Sequence, residues 1–310
     1  MTKEQGWGIK DMPDLSAKTI LVTGANSGLG FQATQAFAAK GAHVVMACRD
    51  TERGEIAAEG VRNYAPEASV EVEQLDLASL ESVRVFARTF LEAHSRLDVL
   101  CNNAGIMAIP KRLTADGFEM QFGTNHLGHF ALTGLLFARL AETTGGRVVT
   151  LSSSAHSFGK IRFDDLQWKS GYRQWPAYGQ SKLANLLFAL ELDRRLRRAS
   201  IDLKSVGCHP GYAATNLQYA NARMTGSSMM ESFWKVTNDL LAQSPEMGSL
   251  PTLYAATAPD VEGGDYIGPD GWQQWWGYPT KVTCAGRARD EATADHLWEV
   301  SEQLTGVKYP

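Results

Sequence analysis

Apolar residues are distributed along this chain in two alternating textures. Short apolar runs give way to longer stretches in which apolar positions recur every third or fourth residue. The runs TILVTG (19–24), HVVMAC (43–48), SVEVEQLD (69–76), LDVLCNNAG (97–105), GRVVTLSS (146–153) and DLKSVGCHPG (202–211) predict six strands. Between them, helical spacing predicts a helix from about Leu29 to Lys40, then TERGEIAAEGVRNY and SLESVRVFARTFLEAH. A long helix is expected around EMQFGTNHLGHFALTGLLFARLAE, and another from WPAYGQSKLANLLF to near Arg198. Strands alternating with helices imply right-handed βαβ units. The expected class is therefore α/β, a doubly wound single parallel β-sheet with helices on both faces.

No internal boundary rich in Pro, Gly or Ser divides the 310 residues, so one domain is expected over 1–310. Two stretches leave the alternation. One is a lobe at about 212–244, rich in Met, Asn and Ser and read as substrate-binding. The other is a C-terminal extension at about 263–310, which opens on the aromatic segment GGDYIGPDGWQQWWGYP.

Composition adjusts this picture little. The apolar fraction is 44%, the charged fraction 21% and the net charge −4, ordinary values for a soluble globular protein. No basic run suggests nucleic acid, and the densest cluster, RRLRR (194–198), closes a predicted helix where cations complement its dipole. The N-terminus lacks an apolar signal-peptide region. The most apolar piece, HFALTGLLFARL, is interrupted by Arg139 and falls short of the about 20 residues a membrane span needs. A cytoplasmic protein without a membrane anchor is expected. Cys48, Cys101, Cys208 and Cys284 are widely spaced with no C-x-x-C, which predicts reduced thiols and no metal site.

Candidate chemistry begins where the first strand meets the first helix. TGANSGLG (23–30) places Gly24, Gly28 and Gly30 in G-x-x-x-G-x-G spacing, with Asn26, Ser27 and Leu29 between them. Such a turn needs one Gly to leave the strand, another to let backbone approach a pyrophosphate, and a third to pack the helix. The helix N-terminus then offers N–H groups to the anion. The second strand ends Ala47-Cys48-Arg49 rather than on a carboxylate, so a guanidinium stands where a ribose 2′-phosphate would lie. NADP(H) is favoured over NAD(H). Asp76, with Leu77 after it, and Asn103, Ala104 and Gly105 of NNAG fall at carboxyl ends of strands and extend the same cleft.

Tyr178 and Lys182 stand four apart on the last long helix, one above the other. Of nine tyrosines only Tyr178 has a Lys at that distance. Alone, the spacing fits a solvated polar edge as well as a reacting pair. A free Tyr has a pKa near 10, and a cation one turn away is expected to lower it.

TGANSGLG, NNAG, TNHLGHF, LSSSAHS, YGQSK and HPGYAAT occur in an order and spacing that resemble the short-chain dehydrogenase/reductase (SDR) family, over roughly 18–215. ACRD, AHSFGKIRFDDL and YGQSKLANLLF are most similar to its retinol dehydrogenase-like and WW-domain oxidoreductase-like branch. The resemblance implies a Rossmann fold and hydride transfer between nicotinamide and a carbonyl or alcohol. Tyr178 would be the general acid or base, and Lys182 would bind the nicotinamide ribose. Ser153 would hold the substrate oxygen, and Asn125 would hold a proton-relaying water. The second Ser of the LSS pattern matches the family position, with Ser152 and Ser154 its neighbours. Pro210, Gly211 and Thr215 fit a turn along the nicotinamide and its phosphates. Family members commonly form dimers or tetramers, so a homo-oligomer is an open expectation.

Met224, Met229, Met230, Phe233 and Trp234 suit a broad apolar pocket, hence a lipophilic small-molecule substrate. The insertion KIRFDDLQWKSGYRQW is expected near the pocket rim. The Trp-rich segment 272–278 is read as a pocket wall, as an interface, or as a clasp for the C-terminal extension. His126 and His129 lack a third ligand and read as core or surface residues, and His156 as a substrate contact or a loop residue. Two rival functions share the scaffold: double-bond reduction, and non-catalytic NADP(H) sensing.

Overall fold

The computed structural model describes residues 6–212 and 243–310. Its centre is one eight-stranded sheet of order β3-β2-β1-β4-β5-β6-β7-β8. The strands are β1 (Thr19–Thr23), β2 (His43–Cys48), β3 (Ser69–Gln74), β4 (Val99–Asn102), β5 (Gly146–Leu151), β6 (Leu203–Cys208), β7 (Tyr266–Pro269) and β8 (Pro279–Lys281). Seven run parallel and β8 pairs antiparallel with β7. The expected doubly wound Rossmann sheet is present, extended by two strands. Every residue of β1 is buried, whereas the edge strand β3 is mostly half-exposed, as its alternating Val and Glu require.

Helices α1 (Gly28–Ala39), α2 (Thr51–Tyr64), α3 (Leu80–Ala93) and α7 (Gln174–Arg198) match the expected spans within a residue or two. Asp50 caps α2 by accepting from Arg53 N at 3.1 Å. The expected long helix over 119–142 forms with two irregularities, a π-helical turn and a kink at Leu136 (φ −94°, ψ 1°). It runs as α4 (Met120–Phe122), a π-helical turn (Gly123–Leu127), α5 (Gly128–Leu135) and α6 (Phe137–Ala141). The wide turn lets the Asn125 amide clasp Ile106, accepting from its N–H at 2.8 Å and donating to its carbonyl at 2.9 Å. The basic cluster at the end of α7 pairs with acids: Arg195 with Glu191 and Asp295, and Arg197 with Asp193.

The sheet is covered on both faces. Phe37 of α1 and Leu253 of α8 (Pro245–Thr257) share one core cluster, and Phe86, Phe130 and Leu192 belong to the cluster opposite. A third cluster joins α7 to α9 (Glu291–Thr305) through Leu187 and Leu297. Cys48, Cys101 and Cys208 are buried free thiols and Cys284 is a half-exposed one. Among the described residues no helix is long and apolar enough to cross a membrane. Most of the lobe at 212–244, with Thr215, Met224, Met229, Met230, Phe233 and Trp234, lies outside the described residues.

Candidate active site

Chain order reverses between β1 and β4, and a crevice opens there beyond the strand ends. A cleft of about 430 Å³ occupies it. Its lining includes Gly24, Asn26, Ser27, Gly28, Leu29, Gly30, Arg49, Asp76, Leu77, Asn103, Ala104, Gly105, Ser153, Tyr178, Lys182, Pro210 and Gly211. Residues chosen from separate motifs thus meet around one space. Asn125 is buried behind it rather than in its wall.

The cradle works by close approach. Gly24 has φ +66° and Gly28 φ +54°, left-handed values that glycine adopts without strain. A Cβ on Gly30 would fall 2.4 Å from the Gly24 carbonyl oxygen and 2.5 Å from Asn103 Nδ2. The α1 N-cap, Ser27, makes no side-chain capping bond, so the first helical N–H groups remain for a ligand. Thr23 Oγ1 accepts from Asn103 N at 3.0 Å and Ala104 N at 2.9 Å, and Asn103 Nδ2 donates to the Thr23 carbonyl at 2.7 Å. Two strand ends are thereby locked into one rim. The residues present fit a dinucleotide. Arg49 and Arg53 both border the cleft where β2 ends. Arg53 was missed because its helical turn returns it to the rim from beyond the strand.

At the other end lie Tyr178 and Lys182, 5% and 2% exposed. Lys182 Nζ donates to the Leu151 carbonyl at 3.0 Å and stands 5.9 Å from the Tyr178 ring centre. The three serines separate clearly. Ser152 is buried and donates to the Lys182 carbonyl at 2.8 Å, and Ser154 is exposed. Ser153 borders the cleft beside Tyr178, where its hydroxyl acts to lower the pKa of the phenol.

The electrostatics correct one expectation. Lys182 was expected to lower the Tyr178 pKa. Burial instead pushes the phenol up to about 12, opposed by the Ser153 hydroxyl. Burial also brings Lys182 down to about 8. Both groups are desolvated together, so each is driven toward its neutral form.

Asn125 is gripped from two sides. Besides Ile106, its amide donates to Ser181 Oγ at 2.9 Å, so its side chain fixes the NNAG loop against α7. A Cβ on Gly105 would come within 3.3 Å of Asn125 Oδ1 and 3.4 Å of Lys182 Nζ.

His126 and His129 are buried, bonded respectively to Ser301 Oγ at 2.8 Å and Thr23 Oγ1 at 2.9 Å. His156 is a loop anchor, its Nδ1 on the Ser153 carbonyl at 2.6 Å and its Nε2 accepting from Ala285 N at 3.2 Å.

The insertion packs mostly away from the cleft, with Ile161 and Leu166 in the third core cluster. Only Trp175 at its end reaches the lining, with Phe158 just ahead of it. The Trp-rich segment does not line the cleft; it supports it. Tyr212 N donates to the Trp275 carbonyl at 2.7 Å, and a Cβ on Gly211 (φ +66°) would lie 2.4 Å from the same oxygen.

Residues 18–225 match the short chain dehydrogenase family. Retinol dehydrogenase 13 from Homo sapiens is 41% identical over 303 residues, spanning 96% of this chain and 87% of its own. A solved structure of an uncharacterized protein from Mycobacterium Paratuberculosis is 44% identical, with a TM-score of 0.81 over 99% of this chain and 100% of that one. A short chain dehydrogenase from Shigella flexneri complexed with NADP is 21% identical, with a TM-score of 0.63 over 83% of this chain and 98% of that one. This last likeness concerns the fold alone.

Proposed function

This chain belongs to the short chain dehydrogenase family, in its retinol dehydrogenase-like branch, and from that premise we propose that it transfers hydride between NADP(H) and a lipophilic carbonyl or alcohol. As a family member it is an oxidoreductase acting on CH–OH groups. One observation carries the finer reading: the Tyr178 side chain, with Ser153 in the same wall and Lys182 one turn away, borders the cleft that the phosphate cradle opens.

A bound nicotinamide supplies or accepts the hydride. In reduction, the Tyr178 O–H donates its proton to the carbonyl oxygen while the Ser153 hydroxyl holds that oxygen as negative charge develops. In oxidation, Tyr178 takes the proton back. A phenol kept protonated by burial is the competent form for reduction near neutral pH. Lys182, in the same cleft wall as Tyr178, would hold the nicotinamide ribose. Arg49, with Arg53 beside it, supports the preference for a 2′-phosphate.

The apolar part of the cleft lining supports a lipophilic substrate. Ile106, Met107, Phe158, Trp175 and Tyr212 wall the cleft there, and the Trp175 ring meets Tyr178 edge-on at 6.0 Å. The test is NADPH consumption across apolar aldehydes, ketones and quinones, with Tyr178→Phe as background. No Tyr178-dependent turnover on chemically varied carbonyls would sink the reading.

A further inference from the structure

At the end of β2 opposite Arg49, about 20 Å along the strand, nitrogen and carboxylate donors from three elements converge. His43 opens β2, Glu71 and Glu73 lie on β3, and His94 caps the C-terminus of α3. The parallel register pairs His43 with Ser69 and Val45 with Glu71. Alternation therefore turns His43, Glu71 and Glu73 to one face, the face on which Phe90 of α3 packs against Val45 in a shared core cluster. The Phe90 ring centre lies 4.4 Å from that of His94 and backs its imidazole.

One donor atom each from His43, Glu71 and His94 lies within 4.8 Å of the other two. Glu71 Oε1 stands between the imidazoles, 3.2 Å from His43 Nε2 and 2.8 Å from His94 Nε2. Glu73 Oε1 is 3.6 Å from His94 Nε2. Two details separate this from an ordinary surface ion pair. His43 Nδ1 is 2.7 Å from Ser69 Oγ; a proton donated there leaves the Nε2 lone pair pointing at the cluster. His94 Nε2 is sealed from solvent and makes no aligned hydrogen bond despite its closeness to the carboxylate.

We propose that His43, His94 and Glu71 form a binding site for a borderline divalent cation, Zn²⁺ foremost, with Glu73 in reach as a fourth ligand. Tetrahedral ligands about 2.0–2.1 Å from zinc stand about 3.3 Å from one another, close to the spacing already present. Two imidazoles and a carboxylate select Zn²⁺ and its transition-metal neighbours, whereas Mg²⁺ and Ca²⁺ call for oxygen donors alone. The site is preorganised yet reachable: the His94 side chain is 12% exposed and that of Glu71 40%. Occupied, it ties edge strand β3 to β2 and α3 without touching the cofactor cleft.

The test uses tag-free full-length protein stripped with chelator. Expected is uptake of one Zn²⁺ per chain by calorimetry and a rise in Tm of about 5 °C at a hundredfold excess over Kd. Co²⁺ is expected to give tetrahedral d–d absorption, and Mg²⁺ no change. His94→Gln and Glu71→Gln, tested separately, should keep their circular dichroism and dinucleotide binding while Zn²⁺ affinity falls at least tenfold. Absence of stoichiometric uptake by the wild type, or an undiminished Zn²⁺ response in both variants, overturns the site.

Discussion

Lys182 Nζ donates to the Leu151 carbonyl at 3.0 Å while standing 5.9 Å from the centre of the Tyr178 ring. The cation is thus anchored to the end of β5, and the phenol shares the cleft wall with Ser153. Replacing Tyr178 with Phe removes only the proton donor, so kcat should drop about 10²–10⁴-fold with NADPH affinity retained. Fluorescence titration beside turnover separates the two effects.

The serines give a finer test. Ser153→Ala should lower kcat by at least tenfold, because the substrate oxygen loses the hydroxyl that holds it. Ser154→Ala, at an exposed position, should leave kcat within twofold of the wild type. Equal effects at both positions would contradict the assignment.

Cofactor choice rests on Arg49. A charge-assisted hydrogen bond contributes about 1.5–3 kcal/mol, so Arg49→Ala should weaken NADPH binding roughly ten- to a hundredfold. NADH affinity should hardly change. A parallel loss for both cofactors would place Arg49 in general charge balance instead.

The pH response of catalysis differs by direction. Tyr178 is pushed up to about 12 by burial, so it stays protonated through the range ordinarily assayed. Oxidation, which needs the phenolate, should therefore accelerate as pH rises from 6 to 9. Reduction should not decline there through loss of the Tyr178 proton. Initial rates in both directions, with both substrates below saturation, check this.

Acid stability has a separate origin. Burial pushes His126 down to about 3 and His129 down to about 4. Between the ordinary value near 6.5 and those values, the unfolded chain binds more protons than the folded one, so stability falls as pH drops from 6.5 to 4. Asp98 adds a loss at lower pH. Burial raises its pKa, but hydrogen bonds from Arg96, Thr19 N and Lys18 outweigh that and hold it below the usual carboxylate value. Its contribution is present above about pH 4 and disappears as pH falls through the lowered pKa. His126→Phe places a ring among Phe122, Phe130 and Phe188 and leaves Ser301 bonded to the Leu297 carbonyl. Urea melts from pH 7 to 4 should show a shallower decline for this variant.

Much of the architecture was legible in sequence because β1 and β2 carry continuous apolar runs and β5 and β6 carry shorter ones, and such runs mark strands buried on both faces. The elements missed lack such patterns. Helix α8 is buried nearly all round from Gly248 to Thr257, so no amphipathic stripe marks it. Strands β7 and β8 are short and flanked by Gly, Pro and Trp. The π turn at Asn125 is set by its grip on Ile106, a tertiary contact that local spacing does not encode. At the cleft, motif residues stood out because their order is constrained. Arg53 and the desolvated state of Tyr178 depend on three-dimensional packing. The His43–Glu71–His94 group was invisible for a similar reason, since only strand register and the end of α3 bring its members together.

The contact between Tyr212 N and the Trp275 carbonyl bears on how this protein is made. A chain emerging N-terminus first can form the glycine cradle early, from β1 and α1. The Pro210–Gly211 turn facing it is held from one side by Gln243, which donates to the Pro210 carbonyl at 2.7 Å and to the Tyr212 carbonyl at 2.9 Å, and it gains its second brace only when Trp275 has left the ribosome. Nascent chains halted before that residue should grip dinucleotide phosphates weakly and leave the hydride-transfer end unfinished. Competence therefore arrives late in synthesis, delivered by a segment that never touches the cleft itself.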